Sequence, residues 1–123
     1  MKQKAILKKV NKNIEEEVVL EVDDIEFVGF ANIVPYKINE GYEYEVLLGI
    51  TVLDDFYIEE SESRRKEIKR INDDFEYIIR GKLQDGGKID AGIIIEDELL
   101  EEYNYLVGKY VEIKVDRISV EFL

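Results

Sequence analysis

The sequence predicts a mostly β protein, a single small antiparallel barrel or sandwich of about seven or eight strands with one or two short helices. Apolar residues recur at every second position in several segments, as expected for strands with one buried face. Turn residues separate these segments at the regular spacing of small barrels and sandwiches. No linker rich in Pro, Gly or Ser interrupts the chain, so we expect residues 1–123 to form one β-rich domain.

The first strands lie near the amino terminus. Residues 3–10 have a short apolar centre between lysines, which favours an edge strand because charge there discourages pairing with another chain. The residues Asn11-Lys12-Asn13 predict a turn. A second strand follows, with its apolar residues at period two: Val18, Leu20 and Val22.

The next two strands are separated by clear turn signals. Asp23-Asp24 breaks the second strand, and the run 25–34 carries apolar groups on both faces, as a central strand does. Pro35 lacks a backbone donor and should end this strand. Asn39-Glu40-Gly41 predicts a hairpin reversal into the cleanest alternation of the chain, residues 42–53.

Residues 54–73 leave the local structure open, because apolar content falls and charge rises. Ser61 or Ser63 is a suitable cap for a short helix in which Ile68 and Ile71 face inward. The same residues are compatible with a long ordered loop or with a charged strand.

Residues 74–96 predict a β-hairpin around which the rest of the sheet is arranged. The first arm alternates through residues 75–83, and the glycine-containing turn Asp85-Gly86-Gly87 reverses the chain. The second arm continues the period-two pattern with Ile89, Ala91, Ile93 and Ile95. Ile78 and Ile94 add apolar groups to the second face, so we expect partial cover on both sides.

The carboxyl-terminal part predicts a short helix and a final pair of strands. Acids at residues 96–98 precede leucines near helical spacing, which favours about two turns of helix ending at Gly108. Residues 110–115 and 118–122 alternate again. The break in phase at Asp116-Arg117 indicates either a tight hairpin or a bulge.

Composition excludes most common catalytic arrangements. The chain has no cysteine and no histidine, which removes thiol chemistry, zinc sites built on these residues and imidazole general bases. We therefore expect no cofactor and no metal. Paired acids such as Asp54-Asp55 are typical of turns, because neighbouring strand residues point to opposite faces and offer one ligand only.

The net charge of −12 opposes nucleic acids and anionic membranes as direct partners. Basic residues gather at 2–12 and at 64–70, where we interpret them as solvated faces. The basic start is followed by too short an apolar run for a signal peptide, and no apolar run approaches the length of a membrane span. The sequence therefore predicts a cytoplasmic protein.

One weak motif suggests catalysis. Glu112-Ile113-Lys114 matches the E-x-K element of metal-dependent nucleases, with Asp90 or Asp97 as the upstream acid. Three residues are a common pattern on the exposed face of a charged strand, and the acidity of the chain opposes a nucleic-acid substrate. We keep this interpretation as the third alternative.

The preferred hypothesis is a non-catalytic acidic binding protein that covers a basic surface of a macromolecular partner. Small inhibitors of the immunity or counter-defence type use opposite charge to speed encounter and aromatic residues to supply affinity. The acidic helix and the tyrosines after it have this composition. The predicted contact residues are Glu96, Asp97, Glu98, Glu101, Glu102, Tyr103 and Tyr105.

The second hypothesis is a small-molecule module that sequesters an anionic metabolite or nucleotide. Arg80, Lys82 and Arg117 are the candidate cationic ligands for such a molecule. An uncovered edge strand would also allow a homo-oligomer. The identity of the partner or ligand, the strand order and the oligomeric state remain open at this point.

Overall fold

The computed structural model describes residues 1–123 and confirms the mostly β class. Eleven strands are present rather than seven or eight, because one predicted arm is divided and residues 54–73 contribute two strands. The strands are β1 (Gln3–Val10), β2 (Glu17–Val22), β3 (Ile25–Ile33), β4 (Glu43–Thr51), β5 (Ile58–Glu60), β6 (Glu67–Arg70), β7 (Tyr77–Gln84), β8 (Lys88–Asp90), β9 (Ile94–Glu96), β10 (Tyr110–Val115) and β11 (Arg117–Phe122).

Five strands form a closed barrel in the order β1-β2-β3-β11-β4, with β4 pairing back to β1. All neighbours are antiparallel except β3 and β11, which are parallel. When only the five barrel strands are counted in chain order, β3 is the third and β11 is the fifth, so the third and fifth strands form the parallel pair. This connectivity is that of an OB-type Greek-key barrel.

The prediction that residues 3–10 form an edge strand is wrong. Both edges of β1 are paired, one with β2 and the other with β4, because the closed barrel has no free edge. Lys4 and Lys8 are exposed on the outer surface, whereas Ala5 and Leu7 are fully buried inside. The lysines thus solvate the outside of the barrel and do not protect an edge.

The reversal at Asn39–Gly41 is present but does not make the predicted hairpin. Gly41 has φ of 89°, and the N–H of Tyr42 donates to the carbonyl of Asn39. The strands on either side, β3 and β4, are not paired with each other, because β11 lies between them. The residues of the turn determine that the chain reverses here, but β11, which is distant in the sequence, pairs with both β3 and β4.

The chain between β4 and β11 forms a second sheet, in which β7 lies between β10 on one edge and two short strands on the other. Strand β6 pairs with the first half of β7 and β8 pairs with the second half. Strand β5 lies outside β10, and β9 lies outside β8. Residues 54–73 therefore supply two short charged strands, which resolves the open choice against the helix.

The central hairpin is confirmed, but its second arm is not one strand. Residues 85–87 join β7 to β8 as predicted. The chain then turns at Ala91–Ile93 and returns as β9, so that Ile89 pairs with Ile95. All four predicted inward residues of the arm are still buried. Alternation identified the buried side chains correctly and could not detect the reversal between them.

Strands β10 and β11 form neither a tight hairpin nor a bulge within one sheet. They are not paired with each other, and the chain passes at Asp116 from the second sheet into the barrel. The N–H of Asp116 donates to the carbonyl of Thr51, and the N–H of Leu53 donates to Asp116 Oδ2 at 2.7 Å. A corner of this kind lets one chain segment serve two sheets.

The short helix α1 (Glu98–Glu101) begins at the acids as predicted, but it has only four residues, and a separate 3-10 turn (Asn104–Leu106) takes the place of the predicted second turn. The N–H of Leu99 donates to Asp97 Oδ1 at 3.0 Å, which caps the helix start. Gly108, with φ of 88°, ends this region as predicted. No helix in the structure has the length and apolar character needed to cross a membrane.

Both sheets share one hydrophobic core of 25 buried residues, which contains no charged side chain. Gly29 faces into the barrel, where a Cβ atom would lie 2.6 Å from Cγ2 of Val120. The core is therefore packed too closely at this position for a larger residue.

Two side chains join the sheets through hydrogen bonds to backbone groups of the other sheet. Gln3 in β1 donates from Nε2 to the carbonyl of Ile94 at 2.6 Å and accepts from the N–H of Ile94 at 2.9 Å. Its amide thus occupies the free edge of β9. Tyr77 of β7 is buried, and its hydroxyl accepts from the N–H of Val28 in β3 at 2.8 Å.

We expect Gln3→Ala to destabilise the protein by about 1 to 3 kcal/mol, because both backbone groups of Ile94 lose their partner in a partly buried site. Urea unfolding should show a lower midpoint with an unchanged m-value. Gln84→Ala is the matched control, since that side chain makes no hydrogen bond with the rest of the chain. Equal losses in both variants would show that the Gln3 amide contributes nothing.

We expect Tyr77→Phe to remove an alkaline component of the stability. Burial raises the pKa of the Tyr77 phenol above its ordinary value of 10.0, against a smaller opposing effect of the Val28 hydrogen bond. The folded protein therefore holds this proton more tightly than the unfolded chain, and stability falls as the pH rises above 10 through the folded-state pKa. Unfolding free energies at pH 8 to about 11 should fall less steeply in the variant.

The exposed Tyr42→Phe variant is the control and should follow the native pH profile. Tyr77→Phe should also lose about 1 to 3 kcal/mol at neutral pH, because the N–H of Val28 is left without its acceptor. A native alkaline slope in Tyr77→Phe would contradict the assignment.

Candidate functional site

The acidic residues predicted for partner binding lie on α1 and on the segment that follows it. Glu98, Glu101 and Glu102 are exposed, and none of them forms an ion pair within the protein. With Tyr103 and Tyr105 they form a continuous part of the chain, which we call the acidic face. Its carboxylates are free to meet a cation from outside.

Glu96 and Asp97 do not belong to the acidic face in the same way. Glu96 is half-buried and forms an ion pair with the amino-terminal ammonium group of Met1. Asp97 is half-buried and caps α1. Their carboxylates are committed to the structure, so they support the acidic face and do not extend it.

The two predicted tyrosines lie side by side and differ in exposure. Tyr105 is 72% exposed, whereas Tyr103 is half-buried. The Tyr103 ring centroid lies 6.1 Å from that of Tyr105 and 5.7 Å from that of Phe56. Phe56 therefore packs against Tyr103, and Tyr103 packs against the exposed ring of Tyr105.

Phe56 is not among the predicted site residues, because it lies in residues 54–73, for which the sequence does not predict a single local structure. The only available signal is its aromatic character among acids, which does not indicate a contact with residues nearly fifty positions later. Its ring contact with Tyr103 joins the β4–β5 connection to the segment that follows α1.

The helix beneath the acidic face is fixed to the turn of the central hairpin. The N–H of Asp97 donates to the carbonyl of Gly87 at 2.9 Å. A Cβ atom at Gly87 would lie 2.6 Å from the carbonyl oxygen of Asp97 and 2.7 Å from Cγ of Glu101, and its φ is 69°. Glycine is thus needed there both for the backbone conformation and for the close approach of the helix.

Arg80, a candidate ligand for an anionic molecule, is already held by two carboxylates. Its Nε donates to Glu112 at 2.6 Å and its Nη1 donates to Glu67 at 2.5 Å. The hydrogen bonds to Glu67 and Glu112 raise the pKa of the Arg80 guanidinium above its ordinary value. The three residues form a cross-strand row on β6, β7 and β10.

The other two candidate cations lie apart from Arg80. The Arg117 guanidinium lies 4.3 Å from the centre of the Phe30 ring, at the start of β11, and Phe75 packs edge-on against the same ring. Lys82 lines an open cleft at the far end of β7. The structure thus does not gather Arg80, Lys82 and Arg117 around one ligand site.

The residues of the E-x-K hypothesis are each paired separately. Glu112 holds Arg80, and Lys114 forms an ion pair with Glu76 at 3.5 Å. Asp90 accepts from Lys66 at 2.8 Å; partial burial raises the Asp90 pKa, but this bond and the N–H of Gly92 together lower it below its ordinary value. No group of three or more acids is arranged to hold a metal ion.

The outer face of β2 and β3 is the surface on which OB-type barrels bind oligonucleotides. Here that face carries three carboxylates, Glu17, Glu21 and Glu26. Glu21 is paired with Lys8 at 3.2 Å, and Glu26 is exposed without an ion pair. Phosphate groups would meet net negative charge on this face.

Comparison with known proteins gives one family. A family model described as Uncharacterised conserved protein UCP019853 matches residues 1–123. No curated protein and no solved structure gives a significant match.

Proposed function

The chain belongs to the family whose model spans its residues 1–123, and we propose that it is a cytoplasmic, non-catalytic binding protein of the inhibitor type. In this proposal the acidic face covers a basic surface of a macromolecular partner. The observation that carries it is the combination of unpaired carboxylates and an exposed aromatic ring, packed against a second ring, on one short segment of the chain.

The charge of the acidic face supports rapid association. Glu98, Glu101 and Glu102 have no cation beside them, and the whole chain adds a net charge of −12. A surface of one sign attracts a partner of the opposite sign before contact and raises the association rate. Near the acidic face the same field repels acidic molecules, which adds selectivity.

The aromatic residues support affinity. Tyr105 presents most of its ring to solvent, and such a ring gives a large contact area at a small cost in side-chain entropy. Its ring packs against Tyr103, which in turn packs against Phe56. A pre-positioned side chain loses less freedom on binding, so more of the contact energy appears as affinity.

We expect Glu101→Lys/Glu102→Lys to lower the association rate with the partner about tenfold or more at low salt, because two attractive charges become repulsive. We also expect Tyr105→Ala to weaken binding by about 2 kcal/mol, or roughly 30-fold in Kd, because the exposed ring is lost from the contact.

The partner is captured from an extract of the native cells with the immobilised protein. Its association and dissociation rates with each variant are then measured by biolayer interferometry.

Glu15→Lys/Glu16→Lys is the matched control, because these adjacent glutamates are also exposed and without ion pairs but lie in the β1–β2 connection. Tyr42→Ala controls for the loss of an exposed tyrosine. Both controls should bind like the native protein. Equal binding by all four variants, or no captured partner for the native protein, would reject the proposal.

A further inference from the structure

We propose that the protein also binds small polyanions, molecules with two or more phosphate or carboxylate groups, in a cleft at the far end of the second sheet. The cleft has a volume of about 540 Å³ and lies between the β5–β6 connection and the start of β10. Three cations line it: Arg64, Lys82 and Lys109. We call it the basic cleft.

The sign of the charge distinguishes the basic cleft in this acidic protein. Its three cations face two carboxylates, Glu60 and Glu62. Four other clefts have the opposite balance. The cleft beside Lys114, for example, is lined by four acids: Asp54, Asp55, Glu76 and Asp116. With three cations against two carboxylates, the basic cleft has a local excess of one positive charge on a chain of net charge −12.

Only one of the two carboxylates in the basic cleft is paired. Glu60 accepts from Lys109 Nζ at 3.3 Å, an exposed ion pair that contributes little and exchanges readily. Arg64 and Lys82 form no ion pair. The Arg64 guanidinium and the Lys82 ammonium group are thus available to an anion that enters the cleft.

Backbone hydrogen bonds hold the three segments that carry these cations. The N–H of Leu83 donates to the carbonyl of Lys109 at 3.0 Å, and the N–H of Gly108 donates to the carbonyl of Leu83 at 2.8 Å. The N–H of Ser61 donates to the carbonyl of Tyr110 at 2.8 Å. The Cα positions from which Lys82 and Lys109 project are therefore fixed, although the side chains are exposed.

The chemistry of the lining selects the class of ligand. Guanidinium forms two parallel hydrogen bonds with phosphate or carboxylate, and the two lysines supply point charges beside it. A single exposed ion pair contributes little, so a ligand must engage two or three of these cations at once. The space beside Gly108 is open, since a Cβ atom there would meet no atom within 4 Å.

The test titrates the native protein with pyrophosphate and, separately, with citrate in low salt, while amide chemical shifts are followed by NMR. We expect saturable shifts at Ser61, Lys82 and Lys109, with a Kd on the order of 1 mM that rises with salt. If only pyrophosphate binds, the ligand class is phosphate compounds. If both probes bind, the cleft recognises the number of negative charges and does not distinguish phosphate from carboxylate. Arg64→Ala/Lys82→Ala should weaken binding at least tenfold.

Lys9→Ala/Lys12→Ala is the matched control, because it removes two exposed lysines far from the cleft with the same change in net charge. It should bind like the native protein. Absence of saturable shifts, or equal weakening in both double variants, would overturn the proposal. Either result leaves the acidic face and its protein partner untouched, because no residue of that face lines the basic cleft.

Discussion

The corner at Asp116 determines how the two sheets of this protein are arranged. Its backbone N–H is bound to Thr51, and its side chain accepts from Leu53. The segment that leaves the barrel after β4 is therefore tied to the segment that returns before β11. Because both ends of the second sheet meet at one point, the sheet is set beside the barrel, and Tyr77 and Gln3 then fix its orientation.

The ion pairs of the second sheet explain which charged groups are left for binding. The sequence suggests that Arg80 binds anions, but in the structure Glu67 and Glu112 neutralise its charge. Lys66 and Lys114 are likewise paired with Asp90 and Glu76. The groups left unpaired include the carboxylates of the acidic face and two cations of the basic cleft, Arg64 and Lys82. Both regions border the segment 98–110, and they have opposite charge.

Period-two alternation was enough to find most strands and nearly all of the core. It predicted the buried faces of β4 and β7 correctly, because each inward side chain must be apolar whatever its neighbour is. Pairing partners could not be predicted in the same way. Nothing in residues 3–10 shows that β4 covers their second edge, and Pro35 to Gly41 does not show that β11 separates β3 from β4.

The candidate site was predictable only where it is continuous in sequence. Exposed acids and tyrosines between residues 98 and 105 belong to one short segment, and their composition alone suggested a contact surface. Phe56 contacts Tyr103, and Arg64 lines the same cleft as Lys82 and Lys109, although these residues are far apart in the chain. Such partners follow from topology, which alternation does not encode.

The barrel also has a consequence for how the chain folds. Strands β1, β2 and β3 are joined by short connections and pair with their sequence neighbours, so they can form early. Closure requires β11 to insert between β3 and β4, with Val46 meeting Phe122 and Phe30 meeting Ser119. Contacts between such distant residues carry a large loop-closure entropy, which makes folding slow, in the range of about milliseconds to seconds. Until β11 docks, β3 and β4 each expose an unpaired edge, and the newly made chain is open to aggregation during that interval.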